Sequence, residues 1–118
     1  MNPETRLQRQ IMLALSEAGC VVFRNETAGA WLGKVIHKAQ GQVTLNDARM
    51  MTFGLCVGSS DIIGITPEGR FLAVEVKTAK GKPTKEQLNF IEQVRKAGGI
   101  AGIARSPQDA LDLLTHQP

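Results

Sequence analysis

Three ionisable residues near the middle of the chain have the types and spacing to do chemistry together: Asp61, Glu75 and Lys77. They lie in two apolar runs, Ser60-Asp61-Ile62-Ile63-Gly64-Ile65 and Phe71-Leu72-Ala73-Val74-Glu75-Val76-Lys77, separated by Thr66-Pro67-Glu68-Gly69-Arg70. Pro and Gly in the connection are turn chemistry and the flanks are strand-like, so the segment is predicted to be a β-hairpin. Side chains alternate faces along a strand, which places Phe71, Ala73, Glu75 and Lys77 together. A symmetric five-residue loop puts Ile65 opposite Phe71, Ile63 opposite Ala73 and Asp61 opposite Glu75. Opposed β-carbons are roughly 4.5–5.5 Å apart, close enough for both carboxylates to hold one cation. A slip of one residue would turn Asp61 to the other face, so the expectation depends on the turn.

Two carboxylates this close repel each other unless a proton or cation lies between them, and burial worsens the repulsion. Oxygen-only ligands suit Mg²⁺ or Mn²⁺, hard cations that keep several waters and commonly bind phosphate oxygens too. Lys77 could orient or help deprotonate a water at the cation, or stabilise negative charge building at phosphorus. These parts fit phosphodiester hydrolysis. As a bare pattern, E-x-K on a strand is common and reads as a solvated face, with Asp61 a turn residue. Against that, both strands look buried on both faces and their ionisable residues gather at one end.

The elements that must position this hairpin follow from periodicity. Asn2-Pro3 reads as a cap and first-turn proline, and Leu7, Ile11, Ala14, Leu15 and Ala18 recur at helical spacing up to Gly19. Cys20 to Arg24 suits a buried strand. From Glu26 to Ser60 five glycines break up the pattern, and loops are expected, with room for a hairpin and a short helix around Ala48 to Phe53. Pro83-Thr84 opens a helix carrying Leu88, Ile91, Val94 and Ala97, closed at Gly98-Gly99. Ile100 to Arg105 is a further strand, and Ser106-Pro107 starts a last helix through Leu114. The order is α, β, an irregular stretch, ββ, α, β, α, an α/β arrangement with a mixed sheet covered by helices.

Composition bounds the rest. The 118 residues, 42% apolar and 21% charged, suit one domain with little room for a second. A formal charge of +3 permits a polyanionic partner without requiring one. No apolar run approaches the roughly 18–20 residues needed to cross a bilayer and no signal sequence is evident, so a soluble intracellular protein is expected. Cys20 and Cys56 form no C-x-x-C pair and read as small core residues. With His37 and His116 the only histidines, there is no H-E-x-x-H site and little support for a histidine-based nucleophile. No glycine cluster has P-loop spacing, and no nucleotide cofactor is expected.

At Gly58 through Gly64, Leu72 through Lys77, Thr84 through Gln87 and Gly98 through Arg105, taken in order, the chain resembles the PD-(D/E)XK nuclease superfamily. In particular it resembles the VRR-NUC branch, found in phages and as a domain of larger DNA-repair nucleases. The resemblance implies a restriction-endonuclease-like αβββαβ core over 1–118 and Mg²⁺- or Mn²⁺-dependent cleavage of DNA. It implies Asp61 and Glu75 as metal ligands, joined by the carbonyl of Val76, with Lys77 as the catalytic lysine. The proline that usually precedes the aspartate is Ser60 here. The superfamily often supplies an acid from its first helix. Glu4, three and seven positions before Leu7 and Ile11, is the candidate, beside its alternative as a helix-start glutamate favoured by the macrodipole. Gln87 matches a glutamine common in the branch, although Thr84-x-x-Gln87 also satisfies a capping box.

Lys77, Lys80, Lys82 and Lys85 occupy one loop with no acid until Glu86, which suits phosphate contacts that read no sequence. Arg24, Lys34, His37 and Lys38 extend that surface. Trp31 reads as a core residue, with stacking on an unpaired base as the alternative. Small stand-alone members of the branch resemble Holliday junction resolvases, which implies branched DNA as substrate in replication and repair. A two-fold homodimer follows, with its interface expected in the Glu26 to Ser60 stretch. A non-catalytic nucleic-acid-binding module that keeps the fold is the alternative from another class.

Overall fold

In the computed structural model, which describes residues 1–116, the chain enters helix α1 (Pro3–Glu17) through a local cap. The Asn2 side chain accepts the Thr5 N–H at 2.8 Å and Pro3 occupies the first turn, where its missing N–H costs nothing. Gly19 ends the segment with φ 94°, and strand β1 (Val21–Arg24) follows. Strands β2 (Ala28–Ala39) and β3 (Gln42–Phe53) come next, then β4 (Ile62–Ile65), β5 (Phe71–Val76), α2 (Lys85–Lys96), β6 (Ile100–Ala104) and α3 (Pro107–His116). Setting β2 and β3 aside, the order α1-β1-β4-β5-α2-β6 is the expected αβββαβ core.

Four strands form one mixed sheet in the order β1-β4-β5-β6. β1, β4 and β5 are antiparallel neighbours, whereas β5 and β6 run parallel, joined by the α2 crossover. One face carries Ile62, Leu72, Val74, Val76, Ile100 and Ala104 against Ile11 and Leu15 of α1 and Ala110 of α3. On the other, Ala73 and Ala101 pack against Ile91, with Phe90 and Val94 of α2 beside them. Leu72, Val74 and Val76 are wholly buried, each contributing about 1.5–3 kcal/mol by leaving water. Gly64 lets β1 and β4 approach, because a β-carbon there would run into the Val21 carbonyl oxygen.

The Glu26 to Ser60 stretch departs from expectation. It is not mainly loop, and the segment Ala48 to Phe53 is not a helix but the end of β3. β2 and β3, 12 residues each, form a separate two-stranded antiparallel sheet that packs chiefly on itself. Gly29, Gly33 and Gly41 are accommodated within the hairpin, whereas Gly54 and Gly58 lie in the irregular connection from β3 to β4. Gln40 and Gly41, with φ 48° and 80°, make the two-residue turn between Ala39 and Gln42, and Gly33 sits beside a bulge. In place of the short helix allowed around Ala48 to Phe53 stands a ladder in which Trp31 faces Met50, Ala30 faces Met51 and Ala28 faces Phe53. This arm lengthens the molecule to 53 × 30 × 28 Å with a radius of gyration of 17.0 Å, against about 13–14 Å for a compact domain of this size. Trp31, expected in the core, is 61% exposed on the arm. Cys56, also expected in the core, is exposed, whereas Cys20 is buried as expected. No helix among the described residues is long and apolar enough to cross a membrane.

Candidate active site

The β4–β5 register pairs Ile62 with Val74, Ile63 with Ala73 and Ile65 with Phe71. Continued by one residue, it sets Asp61 opposite Glu75, as the turn chemistry predicted. The hairpin closes through Thr66, whose N–H donates to the Arg70 carbonyl at 2.9 Å and whose hydroxyl accepts the Arg70 N–H at 3.1 Å. Asp61 is then fixed from the neighbouring strand: its Oδ2 accepts the Val76 N–H at 2.9 Å. Val76 therefore holds Asp61 with its amide, a role that sequence reasoning had not given it.

Glu75 is 1% exposed, in a strand whose last five residues are all buried. Its pKa is pushed up to about 9, first by burial, then by a side-chain hydrogen bond from Asp61 and by repulsion from Asp61 and Glu4; Lys77 acts in the opposite direction. A carboxyl–carboxyl hydrogen bond needs a proton, so without a cation the pair holds one. The second oxygen, Oε2, is buried and without a hydrogen-bond partner. A buried acceptor left unmade costs about 1–3 kcal/mol, which a cation at this point would offset. Asp61 and Glu75 thus fit a hard divalent ion. Among the described residues no group of three His, Cys, Asp or Glu converges to hold a metal, so protein carboxylates would supply only part of the shell. Mg²⁺ commonly binds in this way, through one or two carboxylates with water and substrate phosphate completing the shell.

Glu4 lies at the exposed N-terminal end of the stripe that buries Ile11 and Leu15, and it reaches the pair through charge. Lys77 is partly buried just beyond β5, its N–H donating to the Ala104 carbonyl at 3.1 Å. Gln87 is occupied locally. Its Oε1 accepts the Thr84 N–H at 2.8 Å while Thr84 Oγ1 accepts the Gln87 N–H at 3.1 Å, the reciprocal capping box. Arg24 ends β1 opposite Ile62 and pairs with Glu26 at 3.6 Å, while Lys80, Lys82 and Lys85 are exposed.

Two supporting residues escaped the sequence reading. Asn25, buried, donates through Nδ2 to Ser59 Oγ and to the Ser60 carbonyl, each at 2.8 Å, and accepts the Leu55 N–H at 3.2 Å. Its own N–H donates to the Asp61 carbonyl at 2.7 Å. Asn25 therefore ties the start of the arm to the chain beyond its end through its side chain, and to the backbone of the candidate ligand through its own amide. Arg105 is the second: its Nη1 donates to the Thr78 carbonyl at 2.6 Å and the Gly81 carbonyl at 2.7 Å, shaping the lysine loop from β6. A buried Asn between two strands and an Arg closing a strand are ordinary in sequence, and neither carried a usable signal. Gly58, with φ 86°, passes so close to the α2 start that a β-carbon would lie 2.7 Å from Glu86 backbone atoms. A 490 Å³ pocket lined by Arg70, Phe71, Phe90 and Gly98 opens at the opposite end of β5, away from the carboxylates.

The VRR-NUC domain family matches residues 2–108. A solved structure described as a VRR_NUC domain shares the fold over 100% of both chains, with a TM-score of 0.60 and 23% identity. No curated protein gives a significant match. A mixed sheet flanked by helices, with an acid on each of two neighbouring strands and a lysine beyond, is thus joined to a match over nearly the whole chain: the protein belongs to the VRR-NUC family, a domain of the nuclease type.

Proposed function

We propose that the chain is a Mg²⁺- or Mn²⁺-dependent endodeoxyribonuclease of the PD-(D/E)XK type, with Asp61 and Glu75 as carboxylate ligands. The observation that carries this reading is the Asp61–Glu75 pair, with Glu75 buried, Asp61 half-buried beside it and one Glu75 oxygen unpartnered. The Val76 carbonyl is the proposed backbone ligand, and Glu4 acts from the rim. When bound, the cation supplies a more acidic water and neutralises charge on the scissile phosphate. Asp61 is held in place by the Val76 N–H and, through its backbone, by Asn25. Lys77 presents its ammonium where negative charge develops. Gln87 fixes the start of α2, and its amide nitrogen is the proposed contact to the reacting region. Arg24, Lys80, Lys82 and Lys85 hold the DNA backbone without reading bases, while Arg105 keeps their loop in shape.

The substrate we favour is branched DNA, such as a Holliday junction, in the replication or repair of a phage or bacterium, within the cytoplasm. No recognition helix stands apart from the core, which favours selection by DNA shape. Cutting two strands calls for two sites, so we propose a homodimer built on the exposed apolar residues of the arm, including Trp31, Val35, Val43 and Met50. The test is purified protein on four-way, flap and duplex DNA with Mg²⁺, Mn²⁺ or EDTA. Cleavage of the branched substrates that EDTA abolishes is expected. Metal-independent binding with no product would favour a non-catalytic DNA-binding module instead.

A further inference from the structure

The β2–β3 arm has two chemically different faces, and its bulges allow them to be traced. Leu32 pairs with Arg49 and Lys34 with Asn46, so the irregularity at 47–48 lies on β3 and β2 carries the alternation across it. Val35 pairs with Leu45 and His37 with Thr44, so the second lies on β2 at Ile36 and β3 carries the alternation. Followed this way, Arg49, Lys34, Asn46, His37 and Thr44 share one face of the outer arm. Trp31, Met50, Val35, Leu45 and Val43 share the other, with Lys38 near the tip. The bulge at Ile36 brings His37 onto the face of Lys34 and Arg49 and turns Lys38 to the other.

The basic face is free of acids. Along Ala28–Phe53 three Lys and Arg accompany a single Asp, Asp47, which sits within the bulge at φ 54°. Lys34, His37 and Arg49 are all exposed. The arm is also mechanically tied to the site, because Asn25 bonds the chain on both sides of it and the backbone of Asp61. A two-stranded ribbon of 12 residues is roughly 40 Å long, and a ribbon of this kind fits the major groove of duplex DNA. An apolar face turned to a second copy leaves the basic face outward.

We propose that the Lys34–His37–Arg49 face of the arm is a second DNA-contact surface, binding phosphates along a duplex that extends from the scissile site. The inference rests on the nuclease reading above for its partner and adds to it a surface outside the catalytic region. Its role is grip and orientation on the flanking duplex.

The test compares wild type with Lys34→Gln/Arg49→Gln on a four-way junction and a long duplex in EDTA, where only binding is read. Affinity is titrated from 50 to 200 mM salt, and circular dichroism and sedimentation report fold and assembly. Two lost phosphate contacts should flatten the slope of log K against log salt by about 1.8 and weaken binding at low salt. Leu13→Ser, an exposed change on α1 away from the arm, should leave the slope unchanged. An unaltered slope and affinity in a folded double variant that keeps its assembly would overturn the proposal, as would an equal change in Leu13→Ser. If the double variant does not fold, Lys34→Gln alone is read in the same way, with an expected flattening of about 0.9. A wild type that cuts DNA while the variant keeps its slope defeats the arm surface alone. One that binds through the arm yet gives no product with Mg²⁺ or Mn²⁺ defeats the nuclease reading alone.

Discussion

In β5 five of six residues are buried, whereas along the two strands of the arm only Ala30 and Leu45 are even partly covered. The two regions share strand geometry and differ in what surrounds it. β5 lies between neighbours on both sides and helices on both faces, so a carboxylate placed there loses its water and keeps its proton. Among the described residues the arm packs chiefly on itself, and isolated two-stranded ribbons are marginal in water. Burial makes a residue chemically unusual, and exposure leaves it available for contact. In this molecule the first produces the candidate site and the second the candidate grip, with Asn25 joining them.

Predictions can break that comparison at several points. The largest effect on stability is expected for Asn25→Ala, which removes a buried amide with three partners. A loss on the order of 2–3 kcal/mol, read by urea unfolding, would show that the arm's base is built into the sheet. A smaller loss would mean that arm and site are separate. Next is the pH dependence of the cation-free protein. Glu75 has a folded pKa of about 9, above its ordinary value of 4.5, so its contribution is full below about pH 4.5 and is lost as pH rises through about 9. Thermal unfolding of wild type should therefore move to lower temperature between pH 5 and pH 9 relative to Glu75→Gln, and Mn²⁺ should restore it at high pH. A third effect has the opposite sign: Ser60 is wholly buried with an unpartnered hydroxyl, and Ser60→Ala should stabilise the protein by up to about 1 kcal/mol. The smallest is Trp31→Ser, which in the dissociated protein should change stability by no more than about 0.5 kcal/mol, because the ring is exposed.

The parts legible in sequence were those governed by local rules. Asn2-Pro3, Thr84 through Gln87 and the Thr66–Arg70 turn carry their own geometry, and they gave α1, α2 and the β4–β5 register, with Asp61 facing Glu75 as its consequence. The arm was legible only as room for a hairpin, because its two long strands are stabilised by each other. Their alternation is interrupted by bulges at Ile36 and Asp47–Ala48, and each interruption erases the period of two on which a strand is recognised. Trp31 was misplaced for the related reason that a lone tryptophan is ordinarily core, a rule that fails on a ribbon packed chiefly on itself. Asn25 and Arg105 act through contacts 30–36 and 24–27 residues away, and no local pattern encodes those distances.

The central claim is that the Asp61–Glu75 pair is the cation-dependent centre of a DNA-cutting enzyme. Mn²⁺-dependent nicking by Glu75→Ala, measured beside wild type on the same branched DNA with binding followed in EDTA, tests it most directly. Loss of cleavage with binding largely intact is the predicted result. Cleavage at the wild-type rate in the folded variant would contradict the assignment.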